Sequence, residues 1–201
     1  MTKIKLCGLT RVCDVETANQ LMPDYIGFVF APKSRRYVSP EAARGLRDGL
    51  KKSILSVGVF VREAPEKVAE LLNSGTIDIA QLHGGEDGDY IQHLRALTDK
   101  PIIHAFRVDT PADLDRAHAS PADYILLDNG AGGTGAAFDW SILQGFDRPY
   151  FLAGGLEPGN VAQAVQTLHP FAVDVSSGIE TGGVKDAEKM RTFVEAVRAV
   201  Y

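Results

Sequence analysis

The sequence predicts an α/β protein in which eight parallel strands alternate with helices and close into a single-domain (β/α)8 barrel. Eight short apolar runs recur at intervals of roughly 22 to 30 residues, close to the length of one βα unit. Helical patterns fill most of the gaps between these runs. No linker or low-complexity segment divides the 201 residues, so one domain is expected over residues 1–201.

The predicted strands are rich in Val, Ile, Leu and Phe, which is typical of strands buried on both faces. Each run ends near Gly, Asp, His or Ser. In chain order the eight runs cover residues 3–8, 25–30, 54–61, 77–84, 101–108, 122–128, 149–155 and 171–178.

Helix signals occupy the intervening segments. Residues 39–50 open with a Ser cap followed by Pro and Glu, and residues 64–75 carry spaced apolar side chains and stop at Gly75. Similar patterns predict helices over residues 85–97, 110–119, 157–168 and 185–200, and Cys13 falls on a first helix. The sixth gap, residues 130–143, reads as a glycine loop followed by a short helix. Its glycines predict a mobile loop over residues 129–138 that can fold over a ligand.

This alternation indicates a TIM barrel. An open, doubly wound sheet is the alternative fold. Such a sheet often carries a GxGxxG turn after its first strand, and the first strand here ends in "CGLTRVCD", which lacks that turn. The barrel interpretation also locates the function, because active sites of this fold lie on the loops that follow the strands.

Composition narrows the classes of function. The formal net charge of −5 and the absence of a Lys/Arg-rich run argue against nucleic-acid binding. No apolar stretch approaches the roughly 20 residues that cross a bilayer, and the first residues do not resemble a signal peptide. A cytoplasmic protein is therefore expected, with Cys7 and Cys13 as reduced thiols. Their spacing fits neither a redox CxxC pair nor a zinc site.

Two glycine- and serine-containing loops predict a phosphate site. Gly154 and Gly155 end the seventh strand, and Ser176, Ser177 and Gly178 end the eighth. In this barrel fold the loops after strands seven and eight often bind phosphate through backbone N–H groups. The alternative is that the glycines only form a turn and the serines only cap helices.

Cys7 and Asp128 are the candidate acid–base pair, because they end strands one and six. A thiol with a pKa near 8.5 can accept a proton as thiolate. A partly buried carboxyl group has a raised pKa and can donate one. Together they suggest proton transfer on a phosphorylated ligand, such as an isomerisation. The alternative is that Cys7 is a small buried apolar residue and Asp128 a cap.

Two further strand-end positions are candidates for ligand contacts. Arg36, in "SRRY" after strand two, offers a guanidinium for a carboxylate or phosphate, although it could equally lie in a solvated loop. His83, in "QLHG" at the end of strand four, could line the site or cap a helix. The sequence contains no metal-ligand cluster and no nicotinamide-binding fingerprint.

The motifs together resemble the phosphoribosylanthranilate isomerase family of tryptophan biosynthesis. The similar stretches are "KLCGLT", "GFVFAPKSRRYVSP", "VGVFV", "AQLHG", "YILLDNGAGGTGAAFDW", "LAGGLEPGNV" and "FAVDVSSGIETGGVKD". They follow the family's order between residues 3 and 186. Each motif is weak alone, but the combination is highly specific.

The resemblance implies a cofactor-free and metal-free barrel enzyme that performs an Amadori rearrangement of N-(5-phosphoribosyl)anthranilate. It implies that Cys7 is the general base and Asp128 the general acid. Arg36 would contact the anthranilate group, and His83 would line the site. The backbone of the last two loops would bind phosphate, at Gly154, Gly155, Ser176, Ser177 and Gly178.

Two rival functions remain open from the sequence. A histidine-pathway isomerase performs the same rearrangement on another aminoaldose, but that family resembles a two-aspartate scheme, and this chain has Cys7 at the strand-one position. A barrel that binds a phosphorylated ligand without catalysis would need neither Cys7 nor Asp128. The partner is expected to be a phosphorylated small molecule, not a nucleic acid or a membrane. The protein is expected to be a monomer or a homodimer.

Overall fold

The computed structural model describes residues 1–128, 140–143 and 145–201. Eight parallel strands form a closed barrel in chain order, and β1 pairs with β8. The predicted glycine loop 129–138 lies outside the described residues. The strands are β1 (Lys3–Cys7), β2 (Tyr25–Val29), β3 (Leu55–Phe60), β4 (Ile79–Leu82), β5 (Ile102–Arg107), β6 (Tyr124–Asp128), β7 (Tyr150–Ala153) and β8 (Ala172–Val175).

The barrel prediction is therefore confirmed, and the open-sheet alternative is wrong. Each strand lies within its predicted run and is shorter by one to four residues. The trimmed residues at the C-terminal ends include the glycines and serines of the candidate site. Those residues leave the strand ladder to form the loops at the barrel mouth.

The described ranges contain seven α-helices, which pack outside the barrel. They are α1 (Val12–Leu21), α2 (Pro40–Asp48), α3 (Pro65–Asn73), α4 (Gly88–Leu97), α5 (Pro111–His118), α6 (Val161–Leu168) and α7 (Ala187–Arg198). Between β6 and β7 the short predicted helix is a 3-10 helix over Trp140–Leu143. No helix in these ranges is both long enough and apolar enough to cross a membrane.

The structure corrects the start of three predicted helices. Helix α4 begins at Gly88 rather than at residue 85, because Asp87 caps it. The last helix begins at Ala187 rather than at residue 185, because Lys185 belongs to a small antiparallel hairpin. The hairpin joins β9 (Glu180–Thr181) to β10 (Val184–Lys185). Asp186 then caps α7 by accepting hydrogen bonds from the backbone N–H groups of the first turn. Helix α6 begins at Val161, because residues 157–160 form a turn before it.

The side chains of β1 alternate between the layer of helices outside the barrel and the barrel interior. Ile4 and Leu6 pack into the large core between the barrel and the helices. Lys5 and Cys7 face the barrel interior, because successive side chains of a strand point to opposite faces. The β1 side chains that face the barrel interior are therefore the odd-numbered ones.

The N-terminal end of the barrel is closed by aromatic rings. Four pairs among the rings of Tyr25, Tyr124, Phe151 and Phe171 have their ring centres 5.3–5.9 Å apart, in edge-on, tilted or stacked arrangements. The Lys3 ammonium lies 5.0 Å from the centre of the Phe171 ring. These contacts fill the bottom of the barrel, so a ligand can enter only from the opposite end, where the strands finish.

Gly27 on β2 makes room for Cys7. The two residues are register partners in the β1–β2 pair. A Cβ atom placed on Gly27 would lie 2.6 Å from Cys7 Sγ and 3.1 Å from Cys7 Cα. Both distances are shorter than ordinary contacts, and the second is to backbone, which cannot rotate away.

We expect Gly27→Ala to lower the free energy of unfolding by about 1–3 kcal/mol, the usual result of overpacking. The measurement is urea denaturation followed by circular dichroism. Gly45→Ala is the matched control, because a Cβ there meets no atom within 4 Å on exposed helix α2. That change should raise stability by about 0.5–1 kcal/mol. Equal effects of the two substitutions would contradict the packing argument.

Candidate active site

A cavity of about 420 Å³ opens at the C-terminal ends of the strands. Its lining contains Cys7, Arg36, His83, Asp128, Gly154, Gly155, Ser176 and Ser177. Eight of the nine site residues predicted from the sequence therefore meet in one concave site. The exception is Gly178.

Cys7 sits at the end of β1 with only 6% of its surface exposed. Burial raises the pKa of its thiol above the ordinary value, since the thiolate loses hydration. The ammonium groups of Lys5 and Lys185 act in the opposite direction and partly offset that shift. Cys7 is therefore a buried thiol, as the alternative interpretation required, but it also faces the cavity and two cations.

Asp128 is the last residue of β6, and 25% of its side-chain surface is exposed to solvent. His83 Nε2 lies 3.4 Å from Asp128 Oδ2. On the other side of the ring, Gln81 Nε2 lies 3.1 Å from His83 Nδ1. The ring of His83 thus lies between the Gln81 amide and the Asp128 carboxyl group. Gln81 and His83 therefore hold one side of the carboxyl group.

The loops after β7 and β8 form a polar wall of the cavity. Gly154 and Gly155 have φ angles of +87° and +65°, a region that favours glycine. Asn160 Nδ2 donates to the Gly155 carbonyl over 2.9 Å and fixes the turn. Ser176 and Ser177 approach from β8, where Ser177 starts a short 3-10 helix. This wall can present backbone N–H groups to an anion.

Gly178 does not line the cavity; it joins the two loops. A Cβ atom at this position would lie 2.0 Å from the Leu156 carbonyl oxygen. Only glycine lets the β8 loop pack this closely on the β7 loop. Phosphate contact by Gly178 stays a prediction, whereas its packing role is evident from the geometry.

Arg36 lies beside the cavity in a fixed orientation. Its Nε and Nη2 donate to the two Glu180 oxygens over 2.6 and 2.9 Å. This pairing raises the pKa of Arg36. Because Glu180 takes the Nε–Nη2 edge, further donation by the guanidinium must come from Nη1 and from the second hydrogen of Nη2.

Glu180 is a buried carboxylate shared by several cations. Lys185 Nζ donates to Glu180 Oε1 over 2.6 Å and to the Ser176 carbonyl over 2.8 Å. Burial opposes ionisation of Glu180, but the hydrogen bonds from Arg36 and Lys185 outweigh it and hold its pKa below the ordinary value. Burial lowers the pKa of Lys185, and the Glu180 carboxylate opposes that shift.

An apolar wall completes the cavity. Val29, Ala31, Val59 and Val61 line the side formed by β2, β3 and the loops that follow them. Arg36 stands at this same side. The cavity thus combines an apolar surface and a guanidinium with a second, glycine- and serine-rich wall.

Five residues in or around the site were not identified from the sequence: Lys5, Gln81, Asp174, Glu180 and Lys185. Gln81 and Lys5 each precede a predicted site residue by two positions on a strand, so alternation could have indicated both. Asp174 stands inside an apolar run, where a charged residue is unusual. Glu180 lies in the hairpin that the sequence patterns did not reveal. In the described part of the chain, no three His, Cys, Asp or Glu side chains form a group that could hold a metal ion.

Comparison with known proteins identifies one family. The model of the N-(5'-phosphoribosyl)anthranilate isomerase family matches residues 4–196. The enzyme of that name from Caldanaerobacter subterraneus subsp. tengcongensis is 44% identical, with 100% of each chain covered. The one from Endomicrobium trichonymphae is 45% identical over the same full coverage.

Solved structures agree with this match. Phosphoribosylanthranilate isomerase from Thermotoga maritima is 37% identical with a TM-score of 0.89, covering 99% of this chain and 100% of that one. A second structure, with the same coverage, 36% identity and a TM-score of 0.88, holds reduced 1-(o-carboxyphenylamino)-1-deoxyribulose 5-phosphate. The 3-hexulose-6-phosphate synthase of Salmonella typhimurium is 16% identical with a TM-score of 0.76 and shares the fold.

We expect Glu180→Gln to lower the free energy of unfolding by about 3 kcal/mol at neutral pH, because it leaves the buried Lys185 and the partly buried Arg36 without a counter-charge. The measurement is urea denaturation at a series of pH values. The folded pKa of Glu180 lies below its unfolded value. Its contribution is therefore fully present above about pH 5 and is lost as the pH falls through the folded pKa. The difference between the two proteins should shrink accordingly in acid.

Glu195→Gln is the control for that measurement. Glu195 is an exposed carboxylate on α7, so its loss should change stability by no more than about 0.5 kcal/mol. If both substitutions have the same small effect, the Glu180 network does not support the site.

Proposed function

The chain belongs to the N-(5'-phosphoribosyl)anthranilate isomerase family, and from that premise we propose how its own residues carry out the reaction. The enzyme converts N-(5-phosphoribosyl)anthranilate to 1-(2-carboxyphenylamino)-1-deoxyribulose 5-phosphate, a step of tryptophan biosynthesis. We assign Cys7 as the general base and Asp128 as the general acid.

The proposed sequence of proton transfers begins at Asp128. Its carboxyl group protonates the ribose ring oxygen, and the ring opens to a Schiff base. The Cys7 thiolate then removes the proton from C2′ to give an enolamine, which tautomerises to the ketone. The iminium group makes the C2′ proton acidic, so a base of modest strength is sufficient.

One observation carries this assignment: Cys7 and Asp128 face a single cavity from β1 and β6, beside two walls of different chemistry. The apolar wall with Arg36 suits a carboxylated aromatic ring. The glycine and serine wall suits a phosphate. A ligand held at both ends places its sugar between Cys7 and Asp128, and such positioning supplies much of the rate enhancement available without a cofactor.

His83 has a more specific role in this proposal than lining the site. Its ring lies against Asp128 and is fixed from behind by Gln81. We assign it the orientation of the acid towards the ring oxygen. Gly154, Gly155, Ser176 and Ser177 bind the phosphate, and Gly178 fixes the spacing of their two loops.

The cellular context belongs to the same proposal. The substrate is the partner that the site chemistry fits, and the negative net charge disfavours nucleic acid. A working unit of one barrel, residues 1–201, acts as a monomer or a homodimer; the Thermotoga maritima relative is described as dimeric. Both cysteines are free thiols, the state that a reducing cytoplasm maintains.

The first test follows the consumption of freshly generated phosphoribosylanthranilate by its fluorescence. The wild type should turn over, and Cys7→Ala and Asp128→Ala should each reduce kcat by about a hundredfold or more, since each removes a positioned acid or base. Cys13→Ser is the matched control and should leave kcat unchanged, because Cys13 is exposed on α1.

A folded Cys7→Ala protein with nearly full kcat would disprove the assignment of the base. An inert wild type that still binds a phosphorylated sugar would move the function to another ligand of this barrel.

The role of Arg36 is tested by binding of the reduced product and of its counterpart without the carboxylate. Arg36→Met should weaken binding of the carboxylated ligand about ten- to hundredfold, the usual effect of losing a hydrogen bond to a charged group. Binding of the decarboxylated ligand should barely change. Fluorescence titration measures both affinities, and an equal loss for the two ligands would show that Arg36 does not recognise the carboxylate.

A further inference from the structure

A buried ion pair lies inside the barrel beneath the cavity, and the proposed proton transfers do not use it. Lys5 is completely buried, and its Nζ lies 2.9 Å from Asp174 Oδ1. Asp174 lines the cavity, with 9% of its side-chain surface exposed. Burying an ammonium group costs several kcal/mol before pairing, and apolar residues of similar volume could fill the same space.

The pair lies directly below Cys7. Lys5 and Asp174 are register partners in the β1–β8 ladder. Cys7 follows Lys5 by two residues on β1, so both side chains face the interior in successive layers. The Lys5 ammonium donates to Asp174 Oδ1, and its positive charge acts on the Cys7 sulfur and lowers the pKa of the thiol. One ammonium is therefore paired with a carboxylate and also acts on the thiol of the proposed base.

The other charges around Cys7 come from the neighbouring loops. Lys185 approaches from β10 and Arg36 from the loop after β2, and both interact with the Cys7 charge. These two cations share the Glu180 carboxylate. Across the mouth stand Asp128 and His83, which contact each other. Lys5 acts on Cys7 from inside the barrel, two residues before it on β1.

We propose that Lys5 is a positioning residue that stabilises the Cys7 thiolate, and that Asp174 holds the Lys5 ammonium in place and charged. This inference rests on the assignment of Cys7 as the base.

The physical reason is the burial of Cys7. An isolated thiolate at this depth would be too poorly solvated to form near neutral pH. A buried ammonium compensates because its charge acts over a short distance in a medium of low polarity. Burial lowers the pKa of Lys5, but the negative charges of Asp174 and Cys7 together outweigh it and keep the pKa of that lysine above its ordinary value. The ammonium therefore persists over the working pH range.

The test measures the pKa of Cys7 without substrate. Thiolate absorbance near 240 nm is followed against pH in a Cys13→Ser background, so that Cys7 is the one thiol observed. Lys5→Met in that background should raise the Cys7 pKa by about one unit, a tenfold lower thiolate-to-thiol ratio. The acidic limb of the pH profile of kcat/KM should move upward by the same amount.

Lys3→Met is the matched control. Lys3 also lies on β1 and faces the interior, but its ammonium stands over the Tyr25 and Phe171 rings at the closed end of the barrel. Its removal should leave the Cys7 pKa unchanged. If Lys5→Met does not fold, Lys5→Met combined with Asp174→Leu replaces the whole ion pair by apolar groups, which proteins usually tolerate. That double variant should also raise the Cys7 pKa, but by less than Lys5→Met alone, because the Asp174 carboxylate raises that pKa and its loss offsets part of the change.

A folded Lys5→Met protein, or the folded double variant, with an unchanged Cys7 pKa would overturn the proposal and leave the pair as a packing element. Because the absorbance measurement needs no turnover, it separates this inference from the proposed function. A shifted thiol pKa in Lys5→Met, together with nearly full kcat in Cys7→Ala, would support the electrostatic role of Lys5 and reject Cys7 as the isomerase base.

Discussion

The pairing of β1 with β8 is the contact on which the active site depends. It closes the barrel between residues about 170 positions apart, with Lys5 beside Asp174 and Leu6 beside Val175. Closure places the end of β1, which carries Cys7, next to the loop after β8, which supplies Ser176. Without this pairing, Cys7 and the Ser176–Ser177 part of the glycine- and serine-rich wall would lie at opposite edges of an open sheet. The ladder is reinforced below by the Thr2 hydroxyl, which donates to the Pro170 carbonyl.

Closure also explains why charged groups can remain buried here. A buried cation is tolerable only where an anion and further hydrogen-bond acceptors are fixed around it. Register pairing supplies Asp174 to Lys5, and the β9–β10 hairpin supplies Glu180 to Lys185 and Arg36. Apolar groups of the same size would cost less to bury. The cations instead bring positive charge to one side of a thiol and to the proposed site of an anionic ligand, a placement that the proposed chemistry requires.

Periodicity was sufficient to predict the barrel, since all eight apolar runs form strands in order. Strand ends then indicated eight residues of the cavity, because parallel strands finish at the same rim. What the patterns could not reveal depends on contacts between distant segments. Glu180 meets Arg36 across 144 positions, and Gly178 packs against Leu156 through its missing side chain. The hairpin was missed for a local reason: its strands have two residues each, too few to show alternation.

Gly8, which follows Cys7, lies between the two ends of the proposed ligand site. Gly8 has a φ of +80°, and a Cβ atom there would lie 2.6 Å from Arg36 Cδ and 3.3 Å from Ser176 Oγ. The backbone after β1 therefore runs between the arginine proposed to bind the carboxylate and the serine proposed to bind phosphate. Any larger residue would push these two groups apart while also straining the turn. Cys7 and Gly8 at the end of β1 therefore have complementary roles. The Cys7 thiol is the proposed base, and Gly8, which has no side chain, allows Arg36 and Ser176 to lie close to the backbone on either side.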